Sequence, residues 1–184
     1  MKTIKPELFW KVFAVELNKA LKEERKWFDY YCDNKKWTKF IFKFLTNLSP
    51  KFGIEVTMRE HWPKIDISYY DKPGDEWDMW ASEVAIEHEN DPKTWRVELC
   101  KLMLLNSGLK VLIAYRNITD RELDKELKDF IKIYKSRKYH QVNDSWILIF
   151  GPTADMYDKY DFVAYKFNGK NITKLEDIAI GREL

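Results

Sequence analysis

Two glutamates in a short apolar run, Val84-Ala85-Ile86-Glu87-His88-Glu89-Asn90, are the residues of this chain best placed to do chemistry. In an extended strand alternate side chains share a face, so Glu87 and Glu89 project together while Ile86 and His88 point the other way. Two carboxylates side by side repel, and keeping both ionised in a partly buried place needs a cation or strong hydrogen-bond donors. A third acid, Asp66, lies in the preceding run, Ile65-Asp66-Ile67-Ser68-Tyr69-Tyr70. If the two runs pair as a symmetric antiparallel hairpin, position 66 falls opposite position 87 and all three acids share a face. That constellation points to a divalent-metal site.

The elements that must position these acids can be read from periodicity. Pro6 suits the first turn of a helix whose apolar stripe runs through Phe9, Val12, Phe13, Leu17 and Ala20, with Glu16 inside the stripe. Trp37, Phe40, Ile41, Phe44, Leu45 and Leu48 form the apolar face of a second helix, ended by Pro50 and Gly53. The period then changes: strands are expected over 53–60, 65–70 and 82–89, with a turn at 61–64 and a loop over 71–80. Asp91-Pro92 predicts the start of a helix that carries Trp95, Leu99, Leu102 and Leu105 inward and stops at Gly108. The near-continuous apolar run 109–115 reads as a strand covered on both faces, reached by a parallel crossover. Thr119 and Glu122 make a capping box for a helix to about residue 138. A buried strand over 145–150 follows, then a strand over 161–167 and an Asn168-Gly169 turn. The tail from Asn171 is expected to pair back as a strand before a short terminal helix.

Composition limits the classes. At 184 residues with 45% hydrophobic and 34% charged residues, the chain suits one globular domain, 1–184, with no repeat or linker. Its 8 Trp, 10 Tyr and 11 Phe serve a core first and base stacking second. A net charge of +2 means that any nucleic-acid contact must come from local basic surface. Cys32 and Cys100 are too few for a disulfide framework and lack zinc spacing, and no apolar run reaches membrane-spanning length. The start lacks an apolar leader core, so a cytoplasmic, intracellular protein is expected, with no membrane partner. Without a Gly-rich phosphate loop, an NTPase or dinucleotide enzyme is disfavoured.

The order of helix, three strands with Asp66 on the second and Glu87-x-Glu89 on the third, then helix and strand, resembles the PD-(D/E)XK nuclease superfamily. The resemblance covers roughly residues 5–116. It implies an α/β fold with a mixed central β-sheet flanked by helices, the restriction-endonuclease-like αβββαβ core, which the later strands would extend. By position, Asp66 corresponds to the motif's aspartate and Glu87 to its (D/E). Glu89 stands where lysine is usual, a departure shared with some active Glu-x-Glu restriction enzymes. Other members supply a lysine from the following helix, where Lys101 is the best-placed residue, and an acid from the first helix, which matches Glu16.

What the resemblance implies chemically is metal-dependent phosphodiester hydrolysis, with DNA as the expected substrate. Mg²⁺ or Mn²⁺ would be held by Asp66, Glu87 and the backbone carbonyl of His88, consistent with the few carboxylates such ions take. Glu89 would orient or deprotonate the attacking water, and Lys101 would stabilise charge on the phosphate. Glu98, three residues before Lys101, also offers it an ordinary surface ion pair. The imidazole of His88 is expected on the core side, not as a ligand. Many such nucleases act as homodimers on duplex DNA, so a homodimer is compatible. Arg121, Lys125, Lys128, Lys132 and Lys135 form a stripe on the late helix that reads as a solvated face. Lys35, Lys36, Lys39 and Lys43 form a second basic patch near Trp37, and 75–80 is an acidic, aromatic loop suited to a protein contact. The competing class is a non-catalytic nucleic-acid- or protein-binding module that keeps this fold.

Overall fold

A computed structural model describes residues 4–54, 56–61, 65–70, 81–136 and 145–181, with 56–61 and 81 described by backbone alone. Three helices come first: α1 (Pro6–Glu23), α2 (Trp27–Tyr31) and α3 (Asn34–Leu48). Then follow β1 (Val56–His61), β2 (Ile65–Tyr70), β3 (Ala81–Glu89), α4 (Trp95–Met103), β4 (Asn106–Arg116), α5 (Asp120–Ser136), β5 (Trp146–Pro152), β6 (Val163–Phe167) and β7 (Ile172–Lys174). The seven strands lie in one sheet in chain order. Strands β3, β4 and β5 run parallel, and every other neighbouring pair is antiparallel. The fold is therefore α/β, a mixed sheet flanked by helices.

Two apolar layers cover the sheet. One packs α1, α2 and α3 on Ile67, Tyr69, Val84, Ile86, Val111 and Ile113. The other packs α4 and α5 on Ala85, Leu112, Ala114, Leu148 and Phe150. Both parallel crossovers thus lie on the second face, and β4 and β5 are buried on both sides, as their unbroken apolar runs require.

Local signals account for most boundaries. Asp33 caps α3 by accepting from the amides of Lys35 and Lys36, and Gly53 adopts the left-handed conformation (φ 65°) that ends the following 3₁₀ turn. The capping box is present: Thr119 N donates to Glu122 Oε2 (2.9 Å) and Glu122 N donates to Thr119 Oγ1 (3.3 Å).

Three expectations fail for physical reasons. Asp91 accepts from the amide of Lys93 (2.8 Å) and shapes a turn, so α4 starts only at Trp95. Gly108 does not end α4; pairing of Ala81 with Asn106 and of Ser82 with Ser107 draws it into β4. The terminal helix is absent among the described residues, because α1 takes the tail's backbone groups. Trp10 Nε1 donates to the Glu176 carbonyl (2.8 Å), Asn18 Nδ2 to that of Ala179 (2.7 Å), and Gly181 N to Asn18 Oδ1 (2.8 Å). The expected turn at 62–64 and loop at 71–80 lie outside the described residues.

Gly151 on β5 faces the first layer at close quarters. A Cβ there would stand 2.5 Å from Phe162 Cε1 and 3.0 Å from Tyr115 Cε1, both on buried rings. Gly151→Ala is expected to destabilise the chain by about 1–3 kcal/mol through overpacking, read as a lower denaturant midpoint at unchanged slope.

Candidate functional site

The hairpin register brings the first two acids together. Strands β2 and β3 pair Tyr69 with Val84, Ser68 with Ala85 and Ile67 with Ile86, so one step further Asp66 stands opposite Glu87. Beyond Ile86 the amide of His88 donates to Asp66 Oδ2 (2.9 Å), a side chain standing in the ladder. Alternation puts Asp66 and Glu87 on the α4 side of the sheet and turns the His88 ring to the α3 side.

Helix α4 supplies the rest. Its buried residues are Trp95, Glu98, Leu99 and Leu102, so Glu98 sits within the face that packs on β3 and β4. The Glu87 carboxyl is close enough to those of Asp66 and Glu98 for the three to influence one another's charge. Lys101 Nζ ion-pairs with Glu98 Oε2 and lies 3.9 Å from Glu87 Oε1. Glu87 is 1% exposed and Lys101 37%, so the acid is enclosed and the ammonium marks the way to solvent.

The electrostatics follow from burial. Desolvation pushes the Glu87 carboxyl up, reinforced by the charges of Asp66 and Glu98, to about 10. Asp66 is also raised by burial, held back by the His88 amide and by Glu87. Burial pulls the Lys101 ammonium down, but Glu98, Glu87 and Asp66 together outweigh it, and the net shift is upward. On the other face, full burial holds the His88 imidazole neutral, at about 3, with Nε2 3.1 Å from the Tyr115 hydroxyl. Trp37 Nε1 donates to that same hydroxyl.

The sequence-predicted residues divide clearly. Asp66, Glu87 and Lys101 come together, and the main chain of His88 joins them through its amide. Glu89 does not enter the cluster: at the end of β3 its Oε1 accepts from the Asp91 amide (2.7 Å) and fixes the turn toward α4. Glu16 lies in the opposite layer, on α1, paired with Lys19 (2.6 Å) and Lys51 (3.2 Å). Glu98 was legible only as an ion-pair partner. The signal that exposes it is an acid inside the stripe defined by Trp95, Leu99 and Leu102.

Among the described residues, no group of three His, Cys, Asp or Glu is arranged to hold a metal ion jointly. The same residues leave Glu87 Oε1, a buried oxygen, without a hydrogen-bond partner. Such an orphan calls for a ligand or a proton. The donor set fits a hard cation that takes one or two carboxylates and keeps its waters, as Mg²⁺ does, and not an ion needing three or four protein ligands. No helix among the described residues is long and apolar enough to cross a membrane. Compared with protein-family models, curated proteins and solved structures, the chain finds no match in any of the three.

Folded Glu87 holds a proton that the unfolded chain, with its pKa at 4.5, releases earlier. The folded state therefore binds more protons between that value and about 10, and stability falls as pH rises through the window. In chelator, the unfolding free energy is expected to fall from about pH 6 to about pH 9, and Glu87→Gln to flatten the fall. At the upper pH the variant is expected to be more stable than the parent. Urea denaturation across pH reads both.

Proposed function

We propose that the chain is a divalent-cation-dependent nuclease that hydrolyses phosphodiester bonds, with DNA as the first substrate to test. The observation that carries this reading is the buried Oε1 of Glu87, which accepts no hydrogen bond and is set among Asp66, Glu98 and Lys101. The order of helix, three strands, helix and strand around it supports the resemblance to the PD-(D/E)XK superfamily, with Asp66 on the second strand and Glu87 on the third.

Asp66 and Glu87 would hold Mg²⁺ or Mn²⁺. The ion would supply a water of lowered pKa and would neutralise charge on the phosphate. The chain's own residues do the positioning. The His88 amide fixes the Asp66 carboxylate against Glu87. Glu98 holds the Lys101 ammonium beside Glu87, where it can donate to a phosphate oxygen as charge builds there. An ammonium from α4 thus stands in for the lysine that Glu89 replaces. At the β3 exit, Glu89 keeps one oxygen for orienting water at the rim.

A second reading is a non-catalytic binding module. It rests on the same lysine, since Lys101 placed against both Glu87 and Glu98 neutralises buried acid without any metal.

Titration with Mn²⁺ and a cleavage assay on plasmid and single-stranded DNA separate the two. Asp66→Ala and Glu87→Ala are each expected to abolish saturable Mn²⁺ binding and to lower cleavage by roughly 10²–10³-fold or more, the size that follows loss of one charge-stabilising group. Lys101→Ala should lower cleavage with Mn²⁺ affinity retained, and Glu16→Ala should change neither. A parent chain that binds no Mn²⁺ and cleaves neither DNA nor RNA would leave the binding-module reading standing.

A further inference from the structure

On the face of the molecule opposite the acid cluster, α1, α2 and α3 enclose a groove of about 770 Å³. Its walls differ in charge. Lys36, Lys39 and Lys43 line it from α3, about one helical turn apart. Lys36 is shared with Asp33 (3.4 Å), whereas Lys39 and Lys43 have no carboxylate partner among the described residues. From the end of α1 and the residue after it, Glu23 and Glu24 line the other side, while Glu16 on the same wall is already neutralised by Lys19 and Lys51. The lining between them includes the half-buried rings of Phe40 and Tyr30, with Phe44 buried beneath them in the core.

We propose that this groove binds a single strand of nucleic acid. The α3 lysines would take the phosphates, and the aromatic rings would accept unpaired bases, which stack on such rings whatever their sequence. The carboxylates of the far wall set the strand number. A groove with cations on one side and anions on the other admits one phosphate backbone and repels a second, so a duplex is disfavoured by charge. The basic wall also leads to the end of β3. Asn90, directly after β3, donates to Thr38 Oγ1 (2.6 Å) and to the Asn34 carbonyl (3.3 Å), tying the start of α3 to the exit of the strand that carries Glu87. A strand running from Lys43 to Lys36 arrives at that exit.

The choice of ligand rests on the nuclease reading; the binding does not require it. Fluorescence anisotropy with labelled dodecanucleotides in EDTA, where no cleavage occurs, tests the groove alone. The full chain is expected to bind single-stranded DNA or RNA at least about tenfold more tightly than the matching duplex. Lys39→Ala/Lys43→Ala should weaken single-strand binding about tenfold and flatten the log–log salt dependence by about 1.4, two phosphate contacts at ~0.7 each. Removing the same charge from α5 with Lys125→Ala/Lys128→Ala should change affinity less than about twofold. Comparing the DNA and RNA oligomers shows which of the two the groove prefers. Equal affinity for duplex, an unchanged affinity and salt slope in the α3 variant, or no binding of any oligomer overturns the proposal. Intact groove binding with no cleavage and no Mn²⁺ binding would overturn the nuclease reading alone.

Discussion

Burial of Glu87 is the constraint from which the rest of the candidate site follows. A carboxylate held out of water beside two others must be neutralised by something within reach, because the low-dielectric interior raises the cost of every unpaired charge. The chain offers an ammonium at 3.9 Å and a proton, and leaves one oxygen of Glu87 without a hydrogen bond among the described residues. Well-packed apolar side chains at these positions would give a more stable layer. Retaining the acids costs stability, and a cost of this kind concentrates where a protein binds or reacts.

The surrounding architecture keeps that arrangement from relaxing. Parallel pairing of Glu87 with Leu112 and of Glu89 with Ala114 fixes β3 against a strand buried on both faces, so the carboxylate cannot swing out without breaking the sheet. Beneath it, the His88 ring packs against Tyr115 and Phe42, and Tyr115 in turn receives the Trp37 indole of α3. Above it, Arg96 of α4 pairs with Glu126 of α5 (2.7 Å) at the surface, a weak tie between the two covering helices whose main contact is apolar. Preorganisation of this kind lets a charged group act without first being moved.

Much of this was legible in the sequence, and the failures have definite causes. The alternation in 65–70 and 82–89 set the faces, and a symmetric hairpin placed Asp66 against Glu87, because a period of two leaves little freedom once one face is apolar. The near-continuous apolar runs marked β4 and β5 correctly. The five-residue α2 was missed, since it is too short to show a period. Glu89 shared a face with Glu87 but lay at the strand's last residue, where the demand of the turn at Asp91 is stronger than strand alternation. Glu98 was read as surface because its lysine partner three residues on suggested a solvated pair, although its neighbours Leu99 and Leu102 are core. The interpretation of Glu16 failed for a different reason: nothing in a linear pattern tells which side of a sheet a helix will cover.

The clamp between α1 and residues 176–181 bears on how the molecule is made. Trp10 and Asn18 bond to backbone more than 160 positions later in the chain, so these contacts are among the most distant in sequence that the fold contains. During synthesis α1 emerges well before residues 176–181 and must wait for them before its outer face is covered. Such long-range closure is slow, and it leaves Trp10, whose indole bonds to that tail, open to misassociation in the interval. Helix α1 is thereby among the last parts of its layer to be completed.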